Sequence, residues 1–341
     1  MVTIKEIAEQ MHVSPTTVAN VIHGRTSKVS KENVKRIQDA LREHNYVSKM
    51  GLEALTKGKS KLIAIIIHVR KQFDNTLLGD PFFGSTISVL EHQIRSRGYF
   101  TMLYVDSDID NSFKMAMSWN VAGIVCITHS VKNYMKLRSL VECPVVGIDT
   151  YNDDSTLLEC GGYHVTINDI QAGYEVGEYL IRKGFKNIIA FSDDKSGASS
   201  LRAIGLKKAM EDHHLPLPAY WHILVDDNKR NRFHQIQSLF HFVNKDYVLF
   251  CSSDQLAFEV ISNLTERHCQ IPQELSIVGF DDNSFANFCH PKLTTVNQDI
   301  EAKSIKAASI LFELIENKPV EEGVVYLPFR IVERDSVVVP K

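Results

Sequence analysis

The chain has 341 residues, too many for one ordinary core, so its length predicts two or three compact units. With 44% hydrophobic and 23% charged residues it has the composition of a globular protein, and no apolar run approaches the ~18 residues that cross a bilayer, which excludes a helical membrane protein. The total charge of −3 conceals an asymmetry: residues 1–61 hold eleven Lys and Arg against six acidic residues, a net of +5, which leaves −8 for the remainder.

A small basic module on a larger acidic body fits a polyanion-binding head. Residues Met1 to Glu6 contain no apolar stretch of signal-peptide length, so the expected location is cytoplasmic. The six cysteines (Cys126, Cys143, Cys160, Cys251, Cys269, Cys289) show no CxxC pair or metal-ligand spacing and read as buried thiols.

The first 45 residues predict three short helices. Thr3 and Glu6 have capping-box spacing for a helix from Ile4 to about Met11. Ser14 is a cap and Pro15 a first helical residue, opening a second helix through Ile22 that stops at His23-Gly24. Ser30 opens a third, from Lys31 to about Glu43. Ile4, Ile7, Ala8, Val13, Val18, Val21, Ile22, Val34, Ile37 and Leu41 make one mini-core in a helix-turn-helix pattern. That pattern alone suits DNA binding and protein docking alike. Residues 47–60 read as a linker with little apolar surface.

From Lys61 onward apolar strands alternate with amphipathic helices. The strands are expected at 62–67, 100–105, 122–127, 144–148, 187–191, 221–225, 247–251, 275–280 and 324–332. The helices are expected at 84–97, 132–141, 169–183, 199–213, 230–243, 255–267 and 299–316. Continuous apolar strands predict parallel sheets covered on both faces. So many strands fit two doubly wound lobes, with a ligand in the crevice at the strands' carboxyl ends.

Three stretches together resemble the LacI/GalR family of bacterial repressors. They are Val2 to Gly24, continuing to Val29-Ser30 and His44-Asn45-Tyr46; Leu55-Thr56-Lys57-Gly58-Lys59-Ser60; and Ile277-Val278-Gly279-Phe280-Asp281-Asp282 followed by Pro291 to Asp299. The resemblance implies an all-α helix-turn-helix head over 1–46, a hinge over 47–60, and a periplasmic-binding-protein-like α/β core over 61–341. Within that core it implies an N-lobe of about 61–161 plus 292–322 and a C-lobe of about 162–291 plus 323–341. It also implies a homodimer on palindromic operator DNA, with interfaces on the helices at 84–97 and 255–267.

Carried over residue by residue, Pro15, Thr16 and Asn20 would read bases, Asn20 standing where arginine is usual and suiting adenine rather than guanine. Ser14, Thr17, His23, Ser30 and Tyr46 would contact phosphates, and Thr3 belongs to the same DNA-facing set. Leu55 matches a leucine that wedges into the minor groove. The hinge departs from the pattern: Ser48 replaces proline, Leu52 replaces alanine and Glu53 stands where arginine often faces DNA. Gly51 weakens a helix by ~1 kcal/mol relative to alanine. In the core, Arg202 and Asp281 match the effector-binding pair. Asp169, Ser253 and Gln298 match polar pocket positions, and Asp80, Phe82 and Phe83 match an N-lobe loop; Trp221 is either a stacking face or a core residue.

The implied effector is a sugar, with a purine-type co-repressor as the alternative and a sugar sensor with little specific DNA binding as a third reading. No cofactor or metal is expected. The acidic pairs Asp193-Asp194, Asp226-Asp227 and Asp281-Asp282 are adjacent in sequence, and adjacent carboxylates point apart instead of spanning a glycosidic bond. No P-loop, GxSxG elbow, HExxH or Rossmann fingerprint occurs, so catalysis is not expected.

Overall fold

The computed structural model describes residues 2–22, 25–44, 60–68, 77–152, 161–193, 196–226 and 228–340. The chain divides into two units, Met1–Gly58 and Lys59–Lys341.

In the first unit, α1 (Ile4–Met11) starts at the anticipated capping box: Glu6 donates its amide to Thr3 Oγ1 at 3.3 Å, and the Thr3 amide donates to Glu6 Oε2 at 2.7 Å. His12, in the left-handed region at φ 53, turns the chain into α2 (Pro15–Ile22). There the Thr17 amide donates to Ser14 Oγ at 3.1 Å. Ser30 caps α3 (Lys31–Glu43) in the same way, accepting from the Asn33 amide at 3.2 Å. Ile7, Val18 and Ile37, one from each helix, meet with no exposed surface, and the remaining apolar residues anticipated for this core close around them.

In the second unit, one parallel sheet has the order β11-β5-β4-β3-β1-β2. Its strands are β1 (Leu62–His68), β2 (Phe100–Asp106), β3 (Gly123–Ile127), β4 (Val145–Ile148), β5 (Tyr163–Thr166) and β11 (Gly323–Tyr326). β1 shows why a run of five apolar residues belongs here. Ile63, Ile65 and Ile67 face α4 (Pro81–Ser96) and α11 (Ile300–Ile315), while Ala64 and Ile66 face α5 (Ile109–Ser118) and α6 (Val131–Leu140), and all five are buried.

The other sheet, of order β7-β6-β8-β9, contains β6 (Asn187–Ser192), β7 (His222–Leu224), β8 (Tyr247–Cys251) and β9 (Ser276–Val278). Helices α7 (Asp169–Arg182) and α8 (Ala198–Asp212) contribute to the core on one of its faces; α9 (Lys229–Ser238) and α10 (Asp254–Thr265) contribute to the core on the other. An antiparallel pair, β10 (Thr295–Asn297) with β12 (Arg330–Val332), joins this sheet through bridges Val278–Thr294 and Asp281–Asn297.

Two expectations need correction. The anticipated strand at 324–332 is two strands: β11 pairs with β5 in the first sheet and β12 with β10 beside the second. The lobe boundaries also shift, because β5 lies in the first sheet and Thr294–Asn297 bridges to the second. The chain therefore crosses after Thr166, after Asn297 and after Tyr326, rather than near 161, 292 and 322. β5 is four residues long and carries His164 and Thr166, so it has no apolar run to mark it. α5 was likewise not anticipated, and α4 begins at Pro81 rather than Gly84. Among the described residues, no helix is long and apolar enough to cross a membrane.

Candidate functional site

In the head, Pro15 and Thr16 are exposed at the start of α2, and Asn20 is half-buried one turn further on. Thr3, Ser14 and Ser30 are each a helix N-cap, and Thr17 Oγ1 lies 2.9 Å from Ser14 Oγ. A helix start concentrates unpaired amides and the positive end of the helix dipole, the local chemistry that receives a phosphate. His23, Tyr46 and Leu55, with the hinge positions Ser48, Gly51, Leu52 and Glu53, lie outside the described residues.

The polar centre of the core is built by a helix contact. A Cβ at Gly173 of α7 would stand 1.9 Å from the Arg202 carbonyl oxygen, and one at Gly205 of α8 would stand 1.9 Å from that of Ile170. The two helices meet backbone to backbone, and this approach sets Arg202 against Asp169. Arg202 Nε donates to Asp169 Oδ1 at 2.8 Å, and a terminal guanidinium nitrogen donates to the Ser252 carbonyl at 2.6 Å. The guanidinium lies 3.5 Å from the centroid of the Phe280 ring, a cation–π contact. Arg202 and Asp169 are 7% and 6% exposed. Burial pushes the Asp169 carboxyl up, and Arg202 opposes that shift.

Asp281 follows β9 with φ 119, a conformation that non-glycine residues rarely adopt. Its amide donates to the Val296 carbonyl at 2.9 Å and its carboxylate accepts from Gln298 Nε2 at 2.5 Å. Burial holds this carboxyl well above its usual range, with Arg202 acting in the opposite direction and Asp254 and Asp80 adding repulsion. Asp282 serves the fold instead, accepting from Asn297 Nδ2 at 2.9 Å and from Arg334. The two neighbouring acids do point apart. Gly279 precedes them because a Cβ there would stand 2.3 Å from Asp254 Oδ1.

Gln298 also joins the two lobes. Its Oε1 accepts from Lys303 Nζ, which further donates to Asp149 Oδ1 at 2.7 Å and Oδ2 at 2.9 Å, while Thr166 Oγ1 donates to Asp149 Oδ1 at 2.9 Å. Lys303, on α11, is 1% exposed. Asp149 follows β4 of the first sheet and Asp281 follows β9 of the second, so the chain Asp149–Lys303–Gln298–Asp281 runs between the carboxyl edges of both. Asp80 caps α4 by accepting from the Phe82 amide at 2.9 Å. Burial raises its carboxyl, the Phe82 amide opposes the shift, and Asp193 of the other lobe raises it further. The Phe82 and Phe83 rings meet edge to face at 5.2 Å, and Lys303 Nζ lies 5.9 Å from the centroid of the Phe82 ring.

Asp80, Phe82, Asp169, Arg202, Asp281 and Gln298 are thus brought together where the carboxyl edges of the two sheets approach. Ser253 lies beside them but caps α10, accepting from the Leu256 amide at 3.2 Å; the adjacent Ser252 makes the contact to Arg202. Trp221 is not brought to the group. It precedes β7, level with the middle of β6, and packs half-buried against the core under α7 and α8. Asp149, Lys303 and Ser252 were missed. Asp149 ends an apolar strand run as Asp281 does, and Lys303 interrupts the buried stripe Ala307, Ile310, Leu311 at helical spacing; both were readable signals.

In comparisons with known proteins, residues 3–49 match the bacterial regulatory proteins of the lacI family, and residues 178–337 match the periplasmic binding protein-like domain. The HTH-type transcriptional repressor PurR of Actinobacillus pleuropneumoniae serotype 3 (strain JL03) is 28% identical over 322 residues, covering 93% of this chain and 92% of that one. The HTH-type transcriptional regulator RegA of Clostridium saccharobutylicum is 24% identical over 344 residues, covering 98% and 99%. Among solved structures, the Lac repressor dimer bound to operator and the anti-inducer ONPF aligns over 99% of both chains with a TM-score of 0.83 at 18% identity. A LacI family regulator from Enterococcus faecium with bound ribose covers 82% of this chain and 100% of its own, with a TM-score of 0.68 at 21% identity.

Proposed function

We propose that the chain is a LacI-family regulator, a repressor whose grip on operator DNA is set by a small ligand, a sugar in the first instance, held between the lobes of its core. The matched family is one of regulators, not of enzymes. The observation that carries the ligand reading is the buried polar network between the lobes. A buried arginine paired with Asp169 stands beside Asp281, and Gln298 and Lys303 carry the polar chain on to Asp149 of the other lobe, with Phe82 and Phe83 as an apolar wall; sugar-binding sites combine these two elements. The neighbour with bound ribose supports the same reading. Relatives named PurR favour the second one, a purine-type co-repressor stacked on the same phenylalanines.

In this reading α2 enters the major groove with Pro15, Thr16 and Asn20 toward the bases. Thr3, Ser14, Thr17, His23, Ser30 and Tyr46 hold the phosphates, and Leu55 acts as the minor-groove wedge. The protein works as a homodimer in the cytoplasm. An apolar patch on the C-lobe supports the dimer: Phe258 and Ile261 of α10 lie beside Phe285 and Phe288, which are 54% and 79% exposed. The ligand changes operator affinity only by binding one lobe arrangement better than the other.

Selection of bound sequences from random duplex DNA by the full-length protein, at two salt concentrations, tests the proposal. Enrichment of a palindrome is the expected result; salt-sensitive, sequence-blind binding would overturn it. Asn20→Arg should then move the preference at one position per half-site from adenine to guanine, by about 1–3 kcal/mol. An unchanged preference would remove Asn20 from the readout.

A further inference from the structure

The first sheet presents a second polar group along the edge that carries Asp149. Ile67, Ile127 and Ile148 are level across β1, β3 and β4, so the next residues, His68, Thr128 and Asp149, stand together at the carboxyl edge, with His129 one step beyond. The rings of His68 and His129 lie 5.6 Å apart. His129 has no exposed surface, and among the described residues neither of its ring nitrogens has a hydrogen-bond partner; His68 Nδ1 has none either. At His129 the Ile66 backbone favours a charged ring without meeting hydrogen-bond geometry at either nitrogen, and at His68 the neighbouring Asp106 acts in the same direction; burial outweighs both. A buried polar group without a partner costs stability, and a protein keeps one where something else supplies the partner.

We propose that His129, with His68 beside it, contacts the effector from the N-lobe side of the crevice, and that this effector is uncharged and rich in hydroxyl or ring N–H groups, not phosphorylated or carboxylated. The inference rests on the crevice being the effector site. Burial holds the His129 ring neutral, with its pKa lowered to about 3, and His68 shifts in the same direction for the same reason. A neutral imidazole offers one donor and one acceptor, which matches a hydroxyl or ring amide that both gives and takes. Among the described residues, the rest of the polar cluster, drawn from both lobes, offers an anion no free cation. The two buried cations already have carboxylate partners, Arg202 with Asp169 and Lys303 with Asp149, and Asp80 and Asp281, whose carboxyls burial pushes up, add no positive charge for an anion to pair with. A phosphate would meet cations already paired and imidazoles that do not readily charge.

Thermal unfolding of the full-length protein tests this with wild type, His129→Phe and His129→Gln. Without ligand, His129→Phe should raise the midpoint by about 2–4 °C, because an unpartnered polar ring is replaced by an apolar one. An equal fall would show that His129 has a structural partner and would overturn the proposal. The probes are D-ribose, cellobiose and adenine against ribose 5-phosphate and gluconate. A neutral probe that stabilises wild type should lose at least tenfold in affinity in His129→Phe and recover part of it in His129→Gln. Equal binding by wild type and His129→Phe, or preference for an anionic probe, overturns the proposal; where no probe binds, the ligand-free comparison decides. Operator selection is scored separately, so loss of sequence-specific DNA binding would remove the repressor reading while leaving the thermal comparison intact.

Discussion

The head and the core put helices together in opposite ways. Three short helices of the head interlock through apolar side chains, with Ile7, Val18 and Ile37 at the centre, and among its described residues no ionisable side chain is buried. In the core, α7 and α8 meet through glycines and carry Asp169 and Arg202 into a buried ion pair, one part of a network that also buries Asp254, Asp281 and Lys303. The difference follows from the task. A module that reads DNA needs a stable support and an outer polar face, whereas a ligand crevice must hold charge out of water at fixed positions, and that requires backbone contacts with no room for adjustment.

The largest expected effect falls on the core side of this contrast. Arg202→Ala leaves Asp169 buried without its partner and should cost about 3–5 kcal/mol. Calorimetry should show the loss in the core transition, and an effector response should vanish; unchanged core stability would mean the pair is not buried in solution. Gly205→Ala forces α7 and α8 apart and should cost about 3 kcal/mol. Effector affinity should fall with it although the substitution touches no ligand group, and retention of both would show that the helices separate freely.

A smaller effect separates the regions by pH. The Asp254 carboxyl is pushed up to about 7, chiefly by burial, while the Thr295 hydroxyl and the Asn283 amide pull it down. The folded state therefore binds this proton more tightly than the unfolded chain. Its stabilising contribution is complete below the usual carboxylate range and is lost as the pH rises through about 7. Asp254→Asn should flatten the fall in core stability between pH 4 and 7, measured by denaturant unfolding, and leave the head's pH profile unchanged. An identical slope in both proteins would place the titration elsewhere. The smallest effect is in the head: Ile37→Val should cost about 1 kcal/mol and weaken operator binding only through the folded fraction.

The head was legible almost residue by residue, because a capping box, serine caps, proline at a helix start and apolar spacing are local signals, and each helix is long enough to show its period. Most core strands were legible for a related reason, since a strand buried on both faces is an unbroken apolar run, as in Ile63–Ile67. β5 and β10 escaped because they are four and three residues long and carry polar side chains. Of the crevice, Arg202, Asp169, Asp281 and Gln298 came from the resemblance. Lys303 and Asp149 were missed, lying 154 positions apart in the chain.

By itself the amino-acid sequence determined that this protein has a helical head, that its core is two parallel αβ layers, and which local turns start its helices; these are properties of neighbouring residues. Only the tertiary structure decided where the chain crosses between lobes, that Trp221 belongs to a core and not to the crevice, and that Lys303 links Asp149 to Gln298. Those outcomes depend on strand order and on two helices approaching to backbone contact, and spacing along one chain does not specify distances between segments that meet only after folding.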